Sequence, residues 1–126
     1  MLSSLPLWWI RIAVIYFVVA VALGVFMGAS HDHSLFPLHA HLNLLGWVSM
    51  TLFGLLGTAF PAIADNLLAK MHFWIYNIAL PILAYALCRV LKGEVAMEPI
   101  VGIASATTAL SILLFASNVM FNLRKR

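Results

Sequence analysis

Charged residues stand only at the margins of long apolar runs. Asp, Glu, Lys and Arg are absent from residues 12–31, 33–64, 71–88 and 99–123. A helix needs about 20 apolar residues to cross the hydrocarbon core, with a range of roughly 17–25. The gaps therefore predict four spans, near 8–29, 36–60, 71–91 and 99–122. The second gap is longer than one span requires, so its first residues are expected in a periplasmic or interfacial loop. Lipid offers no hydrogen bonds to an open sheet edge, and the segments are too long for barrel strands, so each should be a helix. Short connections make neighbouring helices antiparallel. The expected fold class is an all-α integral membrane protein, a four-transmembrane-helix antiparallel bundle, with residues 1–126 as a single domain.

Composition agrees. The chain is 64% hydrophobic and 9% charged, where a soluble domain carries about 25% charged residues. One core of this size cannot bury so much apolar surface, and lipid must cover much of it. No segment reads as a cleaved signal, because the first span lacks a basic region before it and is too long for a signal core. Trp8, Trp9 and Arg11 are expected to anchor that span at an interface.

Four spans place both termini on one side. That side gathers Lys70, Arg124, Lys125, Arg126 and Arg11. The other side has Arg89 and Lys92, opposed by Glu94 and Glu98. The positive-inside bias then puts both termini in the cytoplasm and residues 31–35 outside, in the periplasm of a bacterial inner membrane. The formal net charge of +3 follows from this topology and gives no support for a nucleic-acid partner. The expected result is that a reporter fused at residue 126 is active only if it works in the cytoplasm. An active periplasmic reporter there would reverse the orientation. The single cysteine, Cys88, excludes an intrachain disulfide and any cysteine-rich metal site.

Small residues invite close helix packing where hydrophobicity no longer drives association. Gly24 and Gly28 make a G-x-x-x-G pattern, and Gly54 and Gly57 lie late in the second span. The fourth span offers Gly102, Ala104, Ser105, Ala106 and Ala109. Pro81 removes one backbone hydrogen bond inside the third span and should kink it.

Against this apolar background, the stretch HDHSLFPLHAHLNLLGW, residues 31–47, holds four of the five histidines. His39 and His41 lie just inside the second span, where ionisable groups tend to face a cavity or a bundle interior. At about 100° per residue, two positions apart on a helix point roughly 200° apart. The pair cannot chelate one ion from a regular helix, as histidines at i and i+4 can. Each ring must serve a different partner. Asn43 falls on the His39 face, about 40° round from it, where it can hydrogen-bond a ligand or a ring nitrogen. In the loop before them, His31, Asp32 and His33 combine imidazole and carboxylate, a donor set suited to Zn, Cu or Mn. The alternative is a solvated polar loop in which Asp32 or Ser34 helps to begin the second helix.

The same residues carry a family resemblance. The His31–Asp32 pair, with His39-x-His41 eight residues later, resembles the tenth helix of the main subunit of haem–copper oxidases. The segment 70-KMHFW-74 is similar to the start of that family's following helix. Separately, 37-PLHAHLNLL-45 resembles the second helix of nitric oxide reductases and their nearest oxidase relatives, which carries a low-spin haem histidine. The resemblance covers roughly residues 31–80. In the family, the first histidine of H-x-H holds the high-spin haem and the second the low-spin haem. The main subunit has twelve spans in three arcs of four with pseudo-threefold symmetry, and this chain has one arc's worth.

The resemblance implies that three copies form a homotrimer, a twelve-helix disc, and closed cyclic symmetry makes such an assembly ordinary. It further implies that His39 of one subunit and His41 of its neighbour are axial ligands of a b-type haem at each interface. Two axial imidazoles leave the iron no open position, which suits electron transfer. The H-D pair of the family binds a non-redox metal outside the haems, which implies the same for His31 and Asp32.

The departures from the family are as informative. His72 and Tyr76 make the H-x-x-x-Y of the oxidase copper site, but they are expected near the cytoplasmic end of the third span, far in depth from His39. That match reads as accidental, with His72 as an interfacial helix-start residue. There is no adjacent histidine pair, and no Glu or Lys lies within a span. Reduction of oxygen or nitric oxide by the usual bimetallic centre is not expected, and the balance is against an enzyme. Nor is there a C-x-x-C-H motif for covalent haem attachment. Three function classes follow. The first is a haem-binding membrane protein acting in electron transfer or diatomic-gas response. The second is a haem-free Zn- or Cu-binding membrane protein using His31, Asp32, His33, His39 and His41. The third is a structural or assembly subunit whose histidines only pack.

Overall fold

In the computed structural model, which describes residues 4–124, the chain is four long helices. Lys125 and Arg126, part of the charge count that orients the chain, lie outside the described residues. The first helix, α1, runs Leu5–Ser30. The second, α2, runs Phe36–Ala59, the third, α3, Leu67–Leu91, and the fourth, α4, Glu98–Asn122. All four are long and apolar enough to cross a membrane, and no strand occurs among the described residues.

Local chemistry sets the boundaries. Pro6, Pro37 and Pro99 each sit in the first two positions of a helix, where a missing N–H costs nothing. Pro61 ends α2, because the residue before a proline is pushed out of the helical region, and Phe60 takes φ −129° and ψ 81°. A 3₁₀ turn, Pro61–Ile63, follows. Asn66 then caps α3, its Oδ1 accepting the Ala69 N–H at 2.9 Å. That cap starts the helix at Leu67, four residues ahead of the expected 71. The helix runs unbroken through Pro81. It closes with a Schellman turn, in which Gly93 takes φ 101° while its N–H reaches the Val90 carbonyl and the Glu94 N–H reaches that of Arg89.

Within α2, residues Leu42–Val48 wind as a π-helix between two α-helical stretches. The wide turns leave backbone carbonyls open to side chains. Tyr76 Oη donates to the Leu45 carbonyl at 2.8 Å, and Ser49 Oγ to that of Leu44 at 2.6 Å. Such insertions are rare and concentrate at functional sites.

The helices pair as α1 on α2 and α3 on α4, with the pairs meeting over aromatic side chains. Trp9, Met50, Phe73, Tyr76 and Leu80 form the core nearer the termini. Met27, Leu35, Leu38 and Leu42 form a second cluster beneath the 31–35 loop. Large apolar residues face outward on every helix, among them Val25, Leu52, Trp74 and Ile103. This outer surface suits lipid or further copies of the chain.

Three glycines let α1 and α2 close. A Cβ on Gly46 would lie 2.6 Å from the Tyr16 ring, one on Gly54 would lie 2.8 Å from the Pro6 carbonyl oxygen, and one on Gly57 would lie 3.0 Å from Pro6 Cγ. The G-x-x-x-G pattern of α1 behaves differently. Gly24 faces His39, but a Cβ on Gly28 meets nothing within 4 Å, so the two do not form one packing seat inside the subunit. Gly54→Ala must displace backbone, so it should destabilise the fold by about 1–3 kcal/mol. Unfolding by SDS in mixed micelles measures this, with Gly28→Ala as the near-neutral control. Equal midpoints for the two variants would contradict the packing.

Candidate histidine site

His39 lies in the first turns of α2 and turns its ring towards α1. Its Nδ1 lies 3.0 Å from the Ala20 carbonyl oxygen. A carbonyl can only accept, so Nδ1 carries a proton, and in the neutral ring the lone pair is on Nε2. The seat depends on Gly24. The carbonyl of a helical residue points up towards residue i+4, and a glycine there leaves it open to a neighbour. A Cβ on Gly24 would stand 3.0 Å from His39 Cε1. Asn43 occupies the His39 face, as its spacing requires. Its Nδ2 donates to the His39 carbonyl at 3.0 Å and approaches Nε2 at 3.4 Å.

His41 points the other way. Its Nδ1 donates to the Pro37 carbonyl of its own helix at 2.7 Å. That fixes the same tautomer, with the lone pair on Nε2. His41 is half-buried, and its Nε2 has no hydrogen-bond partner among the described residues. The two imidazoles therefore share a preparation common to metal-ligating histidines, in which one nitrogen is held by a carbonyl and the other is left basic. They present it on opposite faces, so a single chain cannot bring both to one ion.

The outer loop is built for turning. His31 closes α1 in the left-handed region at φ 56°. Asp32 Oδ1 accepts the Ser34 N–H at 3.0 Å, and the His33 carbonyl accepts the Phe36 N–H at 3.1 Å. The backbone hydrogen bond from Ser34 is the main cause that holds the Asp32 carboxyl below its usual range, with the Ser34 side chain, His33 and Lys92 adding to it. His31, Asp32 and His33 are all exposed. Among the described residues, no three His, Cys, Asp or Glu side chains converge as a metal group. Within one subunit the loop acts as the start of α2.

His72, expected as an interfacial residue at the start of the third span, turns its ring into the bundle. It is 3% exposed. Its ring packs against Trp9, Phe53 and Phe115 at 4.9, 4.6 and 5.3 Å between centroids. Ser111 on α4 supplies the polar partner, its Oγ lying 2.8 Å from His72 Nδ1. Asn118 is buried nearby and ties three segments together. Its Nδ2 donates to the Ile63 carbonyl at 2.8 Å, while its Oδ1 accepts from Asn66 at 2.7 Å and from Asn122 at 3.0 Å. Spacing along α4 carried this signal, since Ala104, Thr108, Ser111 and Asn118 recur at helical intervals and form its buried stripe.

Comparison with known proteins returns no match to any family model, curated protein or solved structure. The fold defines the class, an all-helical membrane protein with four helices able to span the bilayer. Its function must be argued from the histidines themselves.

Proposed function

We propose that the chain is a haem-binding membrane protein in which His39 of one subunit and His41 of the next are the axial ligands of a b-type haem. One observation carries this reading. Both rings hold Nδ1–H on a backbone carbonyl and keep a basic Nε2, the state that an axial imidazole requires. Their opposed faces make each iron draw on two copies, and a closed ring of three such interfaces is a cyclic trimer. Asn43 guards the His39 nitrogen within the subunit and has to yield when that nitrogen takes a ligand. The exposed small residues of α4, Gly102, Ser105, Ala106 and Ala109, suit helix contacts between copies.

A haem bound by two imidazoles supplies one-electron transfer, because neither axial position is open to substrate. What this chain contributes is the orientation of the two rings and the apolar helices around them. The test is a visible absorption spectrum of protein purified after expression with ample haem, with metal analysis of the same sample. A low-spin spectrum is the expected result. A colourless protein retaining stoichiometric zinc or copper would replace the haem with an ion. Retention that depends on His31, Asp32 and His33 would place that ion in the outer loop.

A further inference from the structure

Among the described residues, the bundle contains one buried side-chain polar atom without a partner, Nε2 of His72. Its tautomer follows from Ser111. The Ser111 hydroxyl has a single proton and donates it to the His72 carbonyl at 3.0 Å. Its oxygen can then only accept from His72 Nδ1, 2.8 Å away. The ring is therefore protonated at Nδ1, and Nε2 holds an unpaired lone pair in a nearly solvent-free place. An acceptor left so costs free energy comparable to its full desolvation.

His72 borders a cavity of about 20 Å³, whose wall also includes Trp9, Phe53, Phe115 and Asn118. Asn118 is 2% exposed. Its amide nitrogen has two N–H groups, and one goes to the Ile63 carbonyl. The same cavity wall thus holds one acceptor without a donor and one amide with an N–H to give. The species that satisfies both must donate to one and accept from the other. A water-sized probe needs roughly 10–15 Å³, so the space fits one water. A metal ion is a poor fit, because a single imidazole among aromatic rings is no coordination set and, among the described residues, no group of three His, Cys, Asp or Glu converges there.

We infer that His72 and Asn118 together bind a single internal water, which donates to His72 Nε2 and accepts from Asn118 Nδ2. The water completes a polar chain from α4 into the bundle. It runs from Asn66 and Asn122 through Asn118 and the water to His72 and Ser111. The site stands apart from His39 and His41 and does not depend on haem.

Solid-state NMR on liposome-reconstituted, ¹⁵N-histidine-labelled protein tests it. His72 should show the Nδ1–H tautomer, and its Nε2 should receive polarisation transferred from water protons. Ala69 lines the same cavity, and Ala69→Val adds two methyl groups there while leaving His72 and Asn118 in place. The transfer to Nε2 should fall severalfold in that variant. A protonated Nε2, or a wild-type Nε2 that receives no transfer from water, overturns the assignment. Full transfer surviving in a folded Ala69→Val protein overturns it too. If the valine is not accommodated, the wild-type measurement decides alone.

Discussion

Replacing His41 with Ala should abolish the low-spin haem spectrum of the purified protein while leaving the four-helix fold intact. The ring touches its own helix through the Pro37 carbonyl, a local bond whose loss costs about 0.5–1.5 kcal/mol. Haem bound per subunit should fall by more than tenfold, in keeping with the loss of one of two axial ligands. His39→Ala should abolish the same spectrum with a larger effect on stability, because that ring also joins α2 to α1 through Ala20 and fills the space over Gly24. Free imidazole separates ligation from packing. Added to the His41→Ala protein, it should restore the spectrum, since in the proposed site the missing ring serves only its own helix and the iron. An unchanged spectrum in either alanine variant would remove that histidine from the site.

The spans were legible because charge is scarce. Arg11, Asp32, Asp65, Lys70, Arg89 and Glu98 bracket helices that the structure places within a few residues of the expected limits. The largest shift, at the start of α3, comes from Asn66, a capping residue whose side chain outweighs the charge of Lys70 in setting the boundary. Opposed faces for His39 and His41, and a shared face for His39 and Asn43, followed from helical spacing alone.

What the sequence did not show depends on contacts between distant segments. The π-helical stretch of α2 is supported by Tyr76 of α3, whose hydroxyl takes the Leu45 carbonyl, and by Tyr16 of α1, whose ring lies against Gly46. No local propensity announces either contact. The burial of His72 was hidden for a related reason. Distance from a charged residue measures depth along a helix but not which way a ring turns, and Ser111 draws this one inward. Gly24 read as half of a packing motif, whereas its missing side chain exposes the Ala20 carbonyl to His39.

The assembly proposal has its own expected result, with an effect as large and a number attached. If each site takes His39 from one subunit and His41 from the next, a homotrimer of either alanine variant binds no haem at these sites. Co-expressed at equal levels, the two variants should recover roughly a quarter of the wild-type haem per trimer, by the head-to-tail geometry of a cyclic ring. An interface is whole only when a His41→Ala chain offers its His39 to a His39→Ala chain offering its His41. Each condition holds in about half of random draws, which gives roughly a quarter. A site built within one subunit recovers nothing, because every chain lacks one ligand. The structure already makes that arrangement strained, with the His39 ring turned to Ala20 of α1 and the His41 ring held on its own helix at Pro37. Haem per trimer over the whole co-expressed population, with mixing verified, is the measurement. Recovery near a quarter requires the intersubunit pairing, and no recovery excludes the two-histidine site between subunits.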